Sequence, residues 1–278
     1  MKCIITAAGL GTRLLPLTKV VPKEMLPIYD QGIKNDLILK PILQVIFESL
    51  YDYRKRDFCF IVGKTKRAVE DHFTPDEKII ENLRKEKKNG LAKELADFDK
   101  KLKNSNIVFK TQPIPIGFGD AIELGKSFVG KESFLLHAGD DIVVSKNNNH
   151  LKKLDENFKK YNADMAFLLE EVDNPRQYGV VEGIKINSNV IEIKKIKEKP
   201  KNPKSNYAII AIYLFKPKIF QYLEQAKKNG YKEKQLDYAF QLALKNNEKI
   251  IGVILEKNEK RLDIGTPRTY TKILTSLK

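Results

Sequence analysis

Short apolar runs of strand length alternate with longer stretches whose apolar residues recur at helical spacing, and few architectures accept that order. The strand-like runs are KCIITAA (2–8), FCFIVG (58–63), NIVFKTQ (106–112), SFLLHAG (133–139), ADMAFLLEEV (163–172) and YAIIAIYLF (207–215). KPILQVIFESLYDY (40–53) and GDAIELGKSF (119–128) supply helix patterns between them. This alternation predicts an α/β fold with a largely parallel sheet flanked by helices.

After residue 170 the pattern changes. GVVEGI (179–184) and VIEIKKIKEKP (190–200) predict a β-ribbon that leaves the main sheet, an elaboration on one core rather than a second domain. A helix over 235–246, a strand KIIGVILE (249–256) and a helix opened by Pro267 follow. At 278 residues the chain is expected to form a single domain over 1–278.

Charge narrows the partners. The formal net charge of +15 invites a nucleic-acid reading. Much of it, however, is interleaved with acids at helical spacing over 76–104, which predicts solvated helix faces, so no nucleic-acid partner is expected. The same positive field suits an anionic small substrate. No apolar run approaches the roughly 20 residues that span a bilayer, and the N-terminal stretch lacks a signal-peptide pattern. A cytoplasmic protein without a membrane partner is expected, with Cys3 and Cys59 as buried free thiols.

The first strand runs into TAAGLGTR (6–13). In an open parallel sheet, ligands bind beyond the carboxyl ends of the strands, so this turn faces the crevice. Gly9 and Gly11 let backbone N–H groups approach a phosphate, and Arg13 can pair with the same anion in a bidentate fork. Leu14 stands where a dinucleotide fingerprint needs its third glycine, and GxxxxGK[ST] is absent. Lys23, behind the rigid Pro22, offers a second cation. Asp140 follows the strand FLLHAG, where its carboxylate could hold a hard cation against phosphate oxygens, while Asp141 is expected to point elsewhere and be structural. His72, His137 and His150 are scattered without metal-ligand spacing, and His137 is expected in the core.

The run AAGLGTRLLPLTKVVPKEMLPIYD (7–30) closely resembles the opening of bacterial and archaeal UTP:glucose-1-phosphate uridylyltransferases. The similarity continues in order through QPIPIGFGDA (112–121), GDD (139–141), QYGVVEG (177–183), KEKP (197–200), SNYAIIAIYLF (205–215) and LDIGTP (262–267). The resemblance implies a Rossmann-like, three-layer nucleotide-diphospho-sugar transferase fold, a mostly parallel mixed sheet flanked by helices, with a β-ribbon sugar subsite. It implies UTP and glucose 1-phosphate as substrates, Mg²⁺ as cofactor, and a homo-oligomer of two or four chains. Matching positions imply nucleotide contacts from Ala8, Gly9, Gly11, Thr12, Arg13, Gln112 and Gly117, and sugar contacts from Gly179, Glu198, Lys199 and Ala211. Arg13, Lys23, Asp140, Lys199 and Asp263 are the implied catalytic set, with Asp140 and Asp263 on the metal.

Three stretches depart from the family pattern. Residues 30–42 are longer than the usual link and are expected near the active-site rim. Ala211 replaces a glycine, and the family's ExxxTD helix start reads QLDYAF (235–240), so no role is carried over to that helix. QPIPIG also resembles the thymidylyl enzymes, which leaves dTTP as the alternative nucleotide, and the altered helix at 235 leaves a non-catalytic nucleotide-sugar sensor as the alternative class.

Overall fold

The computed structural model describes residues 1–231 and 235–276. Nine strands make one sheet: β1 (Lys2–Ala7), β4 (Asp57–Gly63), β5 (Asn106–Gln112), β6 (Phe134–Ala138), β8 (Met165–Glu171), β9 (Gly179–Asn187), β10 (Val190–Glu198), β11 (Tyr207–Phe215) and β12 (Ile250–Ile254). Their order is β5-β4-β1-β6-β11-β8-β12-β10-β9. Two small ribbons complete the strands: β2 (Pro27–Gln31) with β3 (Leu37–Pro41), and β7 (Asp141–Val144) with β13 (Lys260–Asp263).

The α/β class and the mixed sheet are as expected, but the expected predominance of parallel pairs is not found. β5–β4, β4–β1, β1–β6 and β8–β12 are parallel, whereas β6–β11, β11–β8, β12–β10 and β10–β9 are antiparallel. Chain reversal is the physical reason. The hairpin between β9 and β10 turns the chain round, and β11 keeps the direction of β10, so it enters antiparallel to both neighbours. The ribbon does not leave the sheet either. β10 pairs with β12 and Val180 of β9 pairs with Ala208 of β11, which makes the ribbon the sheet's far edge.

Alternation along β1 sends Cys3, Ile5 and Ala7 to one core and Ile4 to the other. Helices Ile42–Asp52, Asn89–Lys103 and Asn149–Lys160 cover the first face; Phe118–Leu124, Ile219–Lys228 and Gln235–Lys245 cover the second. Both cysteines are buried and free, and His137 lies within β6 at 4% exposure, as expected of a core residue.

The charged stretch 76–104 forms the helices Glu77–Lys85 and Asn89–Lys103, with Asp76 capping the first through Lys78 N–H and Ile79 N–H. The long link at 30–42 lies in the β2–β3 hairpin. Its tip is tied to the second of those helices where Glu94 accepts from Ile33 N–H, and its residues do not line the large cleft. The expected position at the active-site rim is therefore corrected, because the tip is held against that helix.

Candidate functional site

Because β1, β4, β5 and β6 run parallel, their carboxyl ends lie along one edge of the sheet. There the chain opens a cleft of about 1470 Å³. Residues 8–13 leave β1 and turn at Gly11, whose φ of +64° lies in the left-handed region that glycine enters freely. Thr18 Oγ1 donates to Gly11 O at 2.8 Å and fixes the turn. A side chain at Gly11 would also meet Thr18 Cγ2 at 3.0 Å.

Lys23 reaches back under this turn, with Nζ 3.5 Å from the place where a Gly9 side chain would begin. Its ammonium pairs with the carboxylate of Asp140. Burial pulls the Lys23 pKa down, but the carboxylates of Asp140 and Glu24 outweigh it and the net shift is upward. The cation is held charged. Behind it, Lys66 Nζ donates to Glu24 Oε2 at 2.6 Å, with Glu24 1% exposed. Burial raises the Glu24 pKa and lowers that of Lys66, and their pairing opposes both shifts.

The opposite wall comes from 261–269. Asp263 stands across from Asp141 in the β7–β13 pairing, and Ile264 N–H donates to Asp140 O at 3.2 Å. Both Asp140 and Asp263 line the cleft. Burial raises the Asp263 pKa and the nearby Asp141 and Asp140 charges add to it, while Arg261 works against them. A Gly265 side chain would touch Asp263 Oδ1 and Oδ2 at 3.2 Å and Arg13 Nη1 at 3.4 Å, so the bare backbone there lets Arg13 and the carboxylate share one space.

Asp141 is structural, as expected. It accepts from Arg261 Nε and Nη2 at 2.7 Å each and from Ala211 N–H at 3.1 Å. At the far end Glu198 packs against Gly179, where an added Cβ would lie 2.9 Å from Glu198 Oε2. Lys199 Nζ stands 3.1 Å from Glu198 Oε1, and the Lys199 backbone takes φ of +43° while its N–H donates to Tyr178 O at 3.0 Å.

Gly9, Gly11, Thr12, Arg13, Lys23, Asp140, Gly179, Glu198, Lys199 and Asp263 thus line one cleft. Ala8, Gln112, Gly117 and Ala211 do not. Gln112 is 3% exposed and directs its amide Nε2 to Gly117 O at 3.2 Å and Asp120 Oδ2 at 2.8 Å. Ala211 directs its N–H to Asp141 instead of the cleft.

Several lining residues escaped sequence reasoning. Leu236, Asp237 and Phe240 come from the helix to which no role was given, and the i, i+4 and i, i+3 spacings of Phe240 from Leu236 and Asp237 were the available signal. Tyr178, Tyr213 and Arg261 were missed as well. Arg261 shares a strand face with Asp263, two residues on, which alternation along a strand foretells.

As metal ligands, Asp140 and Asp263 are hard oxygen donors crowded by a third carboxylate, Asp141. Among the described residues no group of three or more His, Cys, Asp or Glu side chains forms a metal cage. Two carboxylates completed by phosphate oxygens and water are the way Mg²⁺ is commonly held, so the residues fit that ion.

Comparison with known proteins agrees with the family that the sequence resembles. The profile described as nucleotidyl transferase matches residues 2–278. A UTP--glucose-1-phosphate uridylyltransferase of Bacillus subtilis is 35% identical over 269 residues, covering 95% of this chain and 86% of that protein. Two crystal structures of UDP-glucose pyrophosphorylase, one apo and one complexed with UDP-glucose, superpose with TM-scores of 0.86 and 0.81; each is 30% identical, with 99% of this chain and 97% of the other covered. With the family profile matching residues 2–278 and a relative 35% identical over 95% of its length, the chain belongs to the nucleotidyl transferase family.

Proposed function

We propose that this protein transfers a uridylyl group from UTP to glucose 1-phosphate, giving UDP-glucose and pyrophosphate. The observation that carries this reading is the meeting of Arg13, Lys23, Asp140 and Asp263 in one cleft whose other end holds Gly179, Glu198 and Lys199. The Bacillus subtilis relative is named for this reaction, and one of the similar crystal structures is complexed with UDP-glucose.

The chemistry requires little beyond placement and charge. An oxygen of the sugar phosphate attacks the α-phosphorus in line, a new P–O bond forms, and the bond to the β-phosphate breaks with its electron pair leaving on pyrophosphate. The attacking group is already an anion and needs no base, so catalysis rests on holding two repelling anions together. In this reading Gly9 to Arg13 cradle the triphosphate. Lys23 and Lys199 offset charge on the reacting phosphates, and Gly179 and Glu198 hold the sugar, with Ala211 behind them. Asp140 and Asp263 would hold Mg²⁺, which supplies Lewis-acid stabilisation of phosphate charge when bound.

Residues 1–278 act in this reading as a single nucleotidyltransferase unit, with a Rossmann-like sheet and the β9–β10 ribbon as the sugar subsite. A homo-oligomer of two or four chains is part of the proposal, supported by the exposed apolar side chains of Leu37 and Leu39 on the β2–β3 hairpin; light scattering tests it. Among the described residues no helix is long and apolar enough to cross a membrane.

A side-by-side assay of pyrophosphate release from UTP and dTTP with several sugar 1-phosphates tests the function. Preference in kcat/KM for UTP with glucose 1-phosphate is expected. A preference for dTTP overturns the nucleotide assignment, and binding without pyrophosphate release makes the protein a sensor.

A further inference from the structure

Arg261 is the residue on which the sugar end of the cleft converges. Its side chain is 9% exposed and lies at the cleft wall. Nε and Nη2 grip Asp141 in a bidentate fork at 2.7 Å each, a geometry that lysine cannot reproduce. Asp141 in turn holds the Ala211 N–H. That bond falls where the β11–β8 register shifts between Ile210 and Tyr213, so the carboxylate pins an irregular stretch of β11 whose flanking residues, Ile209 and Tyr213, line the cleft.

The other side of the guanidinium faces an aromatic ring. Its centre lies 5.2 Å from the ring of Tyr178, a cation–π distance, and Nη1 is 3.8 Å from Glu170 Oε2 without a hydrogen-bond partner. Tyr178 immediately precedes Gly179, and its carbonyl accepts the N–H of Lys199. One guanidinium therefore joins the three segments that carry Gly179, Glu198–Lys199 and Ile209–Tyr213 to the strand that carries Asp263.

We infer that Arg261 is a positioning residue for the sugar side of the cleft, setting the distance between the bound sugar phosphate and the paired aspartates without touching substrate. The inference rests on the uridylyltransferase reading, since it takes the ligand of that end to be a sugar phosphate.

The test begins with wild-type protein, UTP, glucose 1-phosphate and Mg²⁺; absence of pyrophosphate release there overturns the function and leaves calorimetric binding of glucose 1-phosphate to judge Arg261. With an active wild type, Arg261→Lys is expected to raise KM for glucose 1-phosphate about tenfold or more while KM for UTP stays within about twofold. An unchanged sugar-phosphate KM, or an equal rise for both substrates, overturns the inference. Tyr178→Leu and Tyr178→Phe decide the matter if Arg261→Lys does not fold. The leucine variant should show the same selective rise and the phenylalanine variant should restore wild-type KM, because it keeps the ring face. Two variants that behave alike overturn it.

Discussion

The Lys23 ammonium rests on the carboxylate of Asp140, a contact between residues 117 positions apart that joins the loop after β1 to the end of β6. The pair places a fixed cation beside one of the two carboxylates proposed for the metal, and the Asp140 charge, with that of Glu24, holds the Lys23 ammonium charged against the pull of burial.

Removing the negative member tests the chemistry. Asp140→Asn keeps the shape and loses the charge, and turnover should fall by about 100-fold or more. Circular dichroism should show the fold retained, while the thermal midpoint falls because Lys23 loses its partner. Near-normal turnover would overturn the metal assignment.

At the sugar end a single methyl group is the probe. Gly179→Ala sets a Cβ 2.9 Å from Glu198 Oε2, a contact that forces the carboxylate aside. KM for glucose 1-phosphate should rise about tenfold with little change in KM for UTP, because a pocket change of one methylene is worth about 1–3 kcal/mol. Steady-state kinetics with each substrate varied in turn gives the answer, and an unaltered sugar-phosphate KM removes Glu198 from the site.

Beneath the cleft, the Lys66–Glu24 pair should matter to stability. Lys66→Met leaves a carboxylate of 1% exposure without its cation, and breaking a buried pair in this way costs about 3–5 kcal/mol. Denaturant unfolding at pH 8 measures it. Replacing both members together, as Lys66→Met with Glu24→Met, should recover a good part of the loss; a single variant within about 1 kcal/mol of wild type contradicts the pairing.

Acid should weaken the fold through His150. The residue is 2% exposed, its Nδ1 lacks a hydrogen-bond partner, and burial, with smaller contributions from His137 and Lys153, pushes its pKa down to about 3. The folded state keeps it neutral while the unfolded chain takes up a proton near pH 6.5, so the stability it contributes is present above about pH 6.5 and is lost as pH falls toward about 3. His150→Phe should flatten the stability profile between about pH 6 and pH 5 by roughly 1 kcal/mol per pH unit. Equal slopes in variant and wild type would rule this out. His137, also shifted downward by burial, contributes in the same direction and remains in both proteins.

The motifs made much of the cleft legible before any coordinates. Gly9, Gly11, Arg13 and Lys23 are short-range features of one loop, and the glycines announce the turn that the backbone makes. Strand direction was not legible, because an apolar run such as YAIIAIYLF reads alike in either sense; the reversal at the β9–β10 hairpin decides it. Gln112 illustrates a different limit. Its amide type fits a base edge, yet only tertiary contacts reveal that Asp120 and Gly117 already take its donor. Arg261 was hidden for the opposite reason: in KRLD it resembles any surface charge until β7 brings Asp141 against it from 120 residues away.

That short β7–β13 ribbon also sets a schedule. A nascent chain can build the glycine turn, Lys23 and Asp140 early, yet the wall carrying Arg261 and Asp263 emerges from the ribosome only after more than a hundred further residues have been made. Until that segment threads back beside residues 141–144, the newborn polypeptide holds a half-cleft with no opposing side, and Asp141 lacks the guanidinium that it accepts from in the finished fold.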